Sequence, residues 1–186
     1  MRFDSDQQED AVKWDADWKE VGWKYYWRTS GRQFVMETFL CGNNLDVGCG
    51  PGFLSARCNL DSMQYTGVDF SPYGIEVAKE LFPGRAFHVV NAETEKLPFK
   101  DRTFDTVICS DVLEHIKDHS LIIPELFRVS KRTVVVSVPT SMGGVGHVWP
   151  IWTAEDLTSK LDPFGKQESI QTFTHYSFHV AKYRRK

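Results

Sequence analysis

Three glycines at alternate positions, Gly48, Gly50 and Gly52, stand directly after the run Asn44-Leu45-Asp46-Val47. Glycine at such a bend lets the backbone approach a ligand with no Cβ in the way, and a helix start behind it offers free N–H groups. The combination suits a nucleotide-like ligand, although a plain tight turn would use the same residues. The spacing differs from the dinucleotide GxGxxG, whose third glycine lies one residue later, which counts against nicotinamide and flavin. A second apolar run ends in Gly67-Val68-Asp69-Phe70, which puts Asp69 19 residues beyond Gly50. A carboxylate at that strand end accepts hydrogen bonds from both hydroxyls of a ribose; its plain alternative is a cap on the helix that begins at Ser71.

The elements needed to position these groups are written in the hydrophobic pattern. Short β-branched or apolar runs predict strands at 43–47, 65–69, 86–90, 104–109 and 133–138, separated by helix-like stretches. That alternation predicts a doubly wound α/β fold, a parallel sheet with helices on both faces. Gly52 to Cys58 opens a helix, and Ser71-Pro72 is an N-cap with proline at the first helical position; that helix stops before Pro83-Gly84. Asp111 to Ile116 reads as a short helix and Ser120 to Val129 as a longer one, with Pro124 kinking or offsetting it. After a loop from Pro139 to Trp152, Thr153-Ala154-Glu155-Asp156 starts another helix. Glu168 to Tyr183 alternates as two strands turning near His175 to Ser177, an antiparallel hairpin. Ahead of the first strand, Trp14 and Trp18, Trp23 and Trp27, then Phe34, Val35, Phe39 and Leu40 follow a helical repeat, one or two amphipathic helices. In open α/β sheets ligands bind beyond the carboxyl ends of the strands. Ser110, Asp111, Val112 and His115, just after the fourth strand, therefore face the same edge as the glycine loop. The structural alternatives are a helix cap for Asp111 and a backbone-bonded buried histidine for His115.

The whole chain of 186 residues fits one domain, residues 1–186, with a helical cap segment over 1–40 and the core over 41–186. Its 41% hydrophobic and 25% charged residues exclude wholesale disorder, collagen-like repeats and coiled coil. A net charge of −3 and a pI near 6.1 argue against a dedicated nucleic-acid binder, and the basic tail Lys182, Arg184, Arg185 and Lys186 reads as a solvated chain end. No export signal and no apolar run of about 20 residues is visible, so no membrane partner is expected. Cys41, Cys49, Cys58 and Cys109 form no CxxC pair and no metal-finger spacing. Free thiols in a cytoplasmic protein, with no metal, are the expectation.

The motifs Leu45-Asp46-Val47-Gly48-Cys49-Gly50-Pro51-Gly52, Gly67-Val68-Asp69-Phe70-Ser71, Asn91-Ala92-Glu93 with Leu97-Pro98-Phe99, Phe104-Asp105, and Asp111-Val112-Leu113-Glu114-His115 occur in one order. In this they resemble the class I S-adenosylmethionine-dependent methyltransferases, and more narrowly the type 11 branch, over about residues 31 to 140. The resemblance implies a Rossmann-like sheet of seven strands, with one antiparallel strand inserted by the C-terminal hairpin. It implies S-adenosylmethionine as cofactor, with Gly48, Cys49 and Gly50 against its methionine part, Asp69 on the ribose, Phe70 flanking the adenine, and Asn91 and Ala92 at the adenine edge. Many relatives have Asp where this chain has Asn91, whose amide oxygen can still accept a hydrogen bond. Asp46, Glu93, Ser110, Asp111 and Val112 complete the implied cofactor set.

Methyl transfer from a sulfonium is an in-line displacement that requires alignment and a dry site, and a base only for some acceptors. By position, His115 and His147 are the candidate catalytic groups, with Glu114 a third. Trp23, Tyr26, Trp149 and Trp152 are candidate walls for an apolar acceptor, and Arg28 and Arg32 candidate partners for a carboxylate; packing of the N-terminal helices is the alternative for the tryptophans. The expected activity is methyl transfer to the O, C or N atom of a small molecule, by a monomer or homodimer. The competing readings are a cofactor-binding module that regulates a partner without turnover, and a protein or nucleic-acid methyltransferase. The nucleic-acid reading is weakened by Cys109-Ser110-Asp111-Val112 where base-amine enzymes carry Asn or Asp followed by Pro-Pro-aromatic.

Overall fold

A computed structural model describes residues 15, 16, 19, 32–57, 64–141, 147–149, 151–174 and 177–186. Helix α1 (Arg32–Glu37) leads into strand β1 (Asn43–Val47), a 3-10 turn (Phe53–Arg57) and β2 (Gln64–Asp69). Then come α2 (Pro72–Leu81), β3 (Ala86–Val89), β4 (Phe104–Ser110), a second 3-10 turn (Leu113–His115), α3 (Ile122–Val129) and β5 (Ser130–Pro139). Helix α4 (Ala154–Leu161) precedes the hairpin β6 (Gly165–Phe173) and β7 (Phe178–Arg185).

The seven strands form one sheet in the order β3-β2-β1-β4-β5-β7-β6. Strands β1 to β5 pair in parallel, and β7 runs antiparallel between β5 and β6. The Rossmann-like seven-stranded fold with its C-terminal antiparallel hairpin is therefore as expected. Along β5, Val134, Val136 and Val138 enter one core and Val135 the other, the period-2 alternation of a strand covered on both faces. One core gathers Leu126, Leu157 and Leu161; the opposite one gathers Met36, Ile75 and Ala78. Strand order reverses between β1 and β4, so the crevice at their carboxyl ends is the topological switch point where such sheets hold ligands.

Local expectations hold with two adjustments. The stretches after β1 and β4 form 3-10 turns rather than α-helix. Pro124 neither kinks nor offsets α3, because it is the third residue of that helix, where a backbone N–H has no intrahelical acceptor to lose. Ser71 caps α2 by accepting from the Gly74 N–H, and Thr153 and Asp156 close a reciprocal capping box on α4. Of the N-terminal helical stretch, Trp14, Trp18, Trp23, Tyr26, Trp27 and Arg28 lie outside the described residues.

A clamp on α3 fixes the segment between β3 and β4. Arg128 donates to both carboxylate oxygens of Glu125, to Asp101 and to the carbonyls of Leu97 and Phe99, while Glu125 also accepts from the Leu97 N–H. Hydrogen bonding to Arg128 holds the Glu125 carboxyl below its usual range. Replacing Arg128 strands a 5%-exposed carboxylate and two carbonyls. Arg128→Ala is expected to lower unfolding stability in urea by about 2–4 kcal/mol. A loss under about 0.5 kcal/mol, the level of an ordinary surface substitution, rejects this clamp.

Candidate functional site

The glycine turn is held by β2. The N–H groups of Gly48 and Cys49 both donate to the Val68 carbonyl, at 2.8 and 3.1 Å, and the Gly50 N–H donates to Asp69 Oδ2 at 2.8 Å. The other oxygen of Asp69 accepts from the Ser71 N–H at 2.9 Å. One carboxylate thus joins the turn after β1 to the start of α2. Gly48 and Gly50 take φ of 77° and 49°, the left-handed region that disfavours any side chain. A Cβ on Gly48 would stand 2.1 Å from Val112 Cγ2, so the first residues beyond β4 close directly onto the turn.

Two buried carboxylates line this turn, Asp46 at 5% exposure and Asp69 at 8%. Burial pushes the Asp46 carboxyl up to about 7, against the Tyr65 O–H that donates to it at 2.6 Å and with the help of the Asp69 charge. Burial also raises Asp69, with the Ser71 and Gly50 N–H groups opposing it. Burial and the same two charges hold the Cys49 thiol protonated. A cationic ligand relieves this electrostatic tension, whereas a pyrophosphate increases it.

At the adenine side of the expected site, Phe70 is half-buried and Asn91 is buried. Asn91 Oδ1 accepts from the Glu93 N–H at 3.1 Å, and its carbonyl from Thr94 and Glu95, which fixes the turn and leaves the amide NH2 as a donor. Ala92 packs on the core, and Glu93 accepts from the Lys117 N–H. At the other side, the Ser110 and Ser137 hydroxyls meet at 2.7 Å, and Asp111, at φ 57°, donates its N–H to the Ser137 carbonyl. The Glu114 carbonyl accepts from both Val148 and Trp149, and the Trp149 indole N–H donates to Ile116. These bonds bring His147 against His115, with ring centroids 4.8 Å apart and edge-to-face.

The expected acceptor walls divide. Trp152 is 3% exposed within the main core, so its faces are taken by protein. Trp149 is 41% exposed, with the Lys160 ammonium over its ring. Arg32 lies in α1, and its side chain is outside the described residues, as are Trp23, Tyr26 and Arg28. Tyr65, Ser137 and Asp15 were not legible as site residues. Ser137 is brought beside Ser110 by the β4–β5 register. Asp15 reaches the site from far along the chain, accepting from the Ser71 hydroxyl and the Tyr73 N–H. Among the described residues no helix is long and apolar enough to cross a membrane.

Residues 45–137 match the family described as "Methyltransferase domain". An uncharacterized methyltransferase of Mycobacterium sp. is 33% identical over 136 residues, 71% of this chain and 44% of that protein. The ubiquinone/menaquinone biosynthesis C-methyltransferase UbiE of Desulfotalea psychrophila is 35% identical over 92 residues, 48% of this chain and 37% of UbiE. The chain therefore spans less than half the length of these relatives. In fold it is similar to a TehB-like SAM-dependent methyltransferase from Corynebacterium glutamicum, with a TM-score of 0.69 at 16% identity, covering 98% of this chain and 99% of that one. It is also similar to magnesium protoporphyrin IX methyltransferase from Synechocystis with bound SAH, with a TM-score of 0.67 at 19% identity, covering 95% of this chain and 100% of that one. The chain belongs to the class I S-adenosylmethionine-dependent methyltransferase family, in its type 11 branch.

The family's cofactor fits the residues present. It carries a sulfonium and an amino group, both cationic, and a ribose. The site offers two buried carboxylates, and Asp69 has about four acceptor positions of which two N–H groups are seated.

The Asp46 proton has a stability consequence. The native state keeps it up to about pH 7, whereas the unfolded chain releases it near 3.8. Its contribution is full below about pH 4 and is lost as the pH rises to about 7. In urea unfolding followed across that window, the wild type should lose stability relative to Asp46→Asn, which keeps an acceptor for Tyr65 and has no proton to release. Parallel profiles would mean that Asp46 is ionised throughout.

Proposed function

We propose that this protein is a methyltransferase that uses S-adenosylmethionine to methylate a small-molecule acceptor. The observation that carries the reading is the pair of buried carboxylates, Asp46 and Asp69, on either side of a left-handed glycine turn at the switch point of the sheet. The cofactor supplies a methyl group on a positively charged sulfur. In this reading Asp69 accepts from the ribose hydroxyls, and Gly48, Cys49 and Gly50 present their backbone to the methionine part. Asp46 offers a carboxylate near its cationic end. Phe70, Asn91, Ala92 and Glu93 border the adenine, and Ser110, Asp111 and Val112 close the site from β4.

The acceptor then lies where the β4 turn meets the loop that carries His147. Val148, Trp149 and Ile151 form an exposed apolar lip beside that place, suited to an apolar or aromatic molecule. The Asp15 bond to Ser71 brings Asp15 to the β2 end of the crevice, where it helps to exclude water. His115 and His147 are the groups able to receive or hold a proton of the acceptor. A regulatory module on this fold would bind the cofactor equally well, so turnover with small acceptors separates the two readings.

Calorimetric titration with S-adenosylmethionine, S-adenosylhomocysteine and NAD tests the cofactor. Micromolar binding of the first two and none of NAD is expected. Asp69→Ala should weaken that binding by on the order of 1.5–3 kcal/mol, roughly ten- to a hundredfold, because a charged acceptor is lost. Unchanged affinity in Asp69→Ala, or NAD binding at the same site, would sink the assignment.

A further inference from the structure

Glu114, His115 and His147 bring one ligating atom each into a group whose members all lie within 4.8 Å of one another. Glu114 is 1% exposed, and its burial matters. Exposed acidic groups gather by chance, but a carboxylate removed from water needs a cation or a dense set of donors beside it. The two imidazoles are half-buried and meet edge-on beside that carboxylate.

The backbone fixes this arrangement. His147 comes from the loop after β5, and that loop is tied to the β4 turn by the Val148 and Trp149 N–H groups on the Glu114 carbonyl, at 2.9 and 3.0 Å. The Trp149 indole N–H on the Ile116 carbonyl, at 2.9 Å, is a third tie. The residue that contributes the carboxylate therefore also anchors the loop that contributes the second imidazole.

We propose that Glu114, His115 and His147 bind a divalent first-row transition-metal ion that holds the hydroxyl of the methyl acceptor. Two imidazoles and one carboxylate suit zinc, iron, cobalt or manganese better than calcium or magnesium, which take oxygen ligands. Three protein ligands leave a coordination position open, the pattern of catalytic rather than structural sites. Bonds of about 2.0–2.2 Å place donor atoms about 3–3.5 Å apart, so the group contracts by roughly 1–2 Å on binding, a movement within reach of side-chain rotation.

The chemistry assigned to the open position is Lewis-acid activation. An acceptor hydroxyl bound there loses its proton to water, and its oxygen is held as an anion. The acceptor class is then a hydroxyl compound. In this arrangement His115 and His147 act as ligands instead of proton acceptors. The role in methyl transfer rests on the function proposed above; the metal site does not.

The test is a titration of the metal-stripped full chain with Co2+, followed by visible absorption, with S-adenosylhomocysteine calorimetry on the same preparations. One equivalent bound with d–d bands is expected. His147→Gln and, separately, Glu114→Gln should weaken Co2+ binding at least tenfold and leave S-adenosylhomocysteine affinity within about twofold. His147→Gln changes a half-buried residue, against the 1%-exposed Glu114, and keeps the variant series informative if Glu114→Gln is poorly folded. No saturable uptake of Co2+, Zn2+ or Mn2+ by wild-type protein that binds S-adenosylhomocysteine overturns the metal site and leaves the methyltransferase reading standing. Uptake that both variants retain at full affinity also overturns it. Metal binding lost in the variants, in protein that binds no S-adenosylhomocysteine, supports the site and removes its role in methyl transfer.

Discussion

The site depends on one carboxylate. Asp69 ends β2, and its two oxygens each accept one backbone N–H, from Gly50 on the turn after β1 and from Ser71 at the start of α2. The Gly48 and Cys49 N–H groups already rest on the Val68 carbonyl, and the Asp69 bonds tie that turn to the helix N-terminus. With them, the turn is drawn over the strand end, and Val112 packs onto Gly48 from the β4 side. The same carboxylate is buried, so its charge persists at an energetic cost that only N–H donors or a cationic ligand can reduce.

A second consequence is the asymmetry of the crevice. Asp46 and Asp69 put two buried carboxyl groups on the β1–β2 side, whereas the β4–β5 side carries paired serine hydroxyls, two imidazoles and a buried glutamate. A cation settles naturally on the first side. On the second, the groups present are those that handle protons or metal ions. The boundary between the two falls at Val112, an apolar side chain that both sides share. This division follows from strand order: β1 and β4 are neighbours in the sheet although 56 residues of chain lie between the two strands.

Much of the fold was legible because its signals are local. The strand at 43–47 was read from the sequence with the limits seen in the structure, and those at 65–69, 86–90 and 104–109 to within one residue at each end, since short β-branched or apolar runs between turn signals mark strands. β5 begins three residues earlier than its apolar run, at Ser130, because Ser130 is polar and the next two residues, Lys131 and Arg132, are charged and exposed, so none carries a hydrophobic signal. The stretch after β4 ends as a 3-10 turn because Asp111 takes a left-handed φ and redirects the chain, which composition does not reveal. Trp152 illustrates the limit for side chains. A tryptophan in a glycine-bearing loop suggests a binding surface, and only packing shows that this one is enclosed by the core.

What the sequence by itself determined is the set of elements, the parallel sheet with its terminal hairpin, and the glycine turn with a carboxylate one strand away. These follow from periodicity and from spacing within a single β-turn-helix unit, where neighbours in sequence are neighbours in space. Only the tertiary structure decided which distant groups meet. The β4–β5 register placed Ser137 on Ser110, β2 carried Tyr65 to Asp46, and the bonds to the Glu114 carbonyl carried His147 to His115. Asp15 reached Ser71 across 56 positions of chain. Such meetings depend on strand order and on hydrogen bonds between loops, and neither leaves a periodic trace in the order of residues.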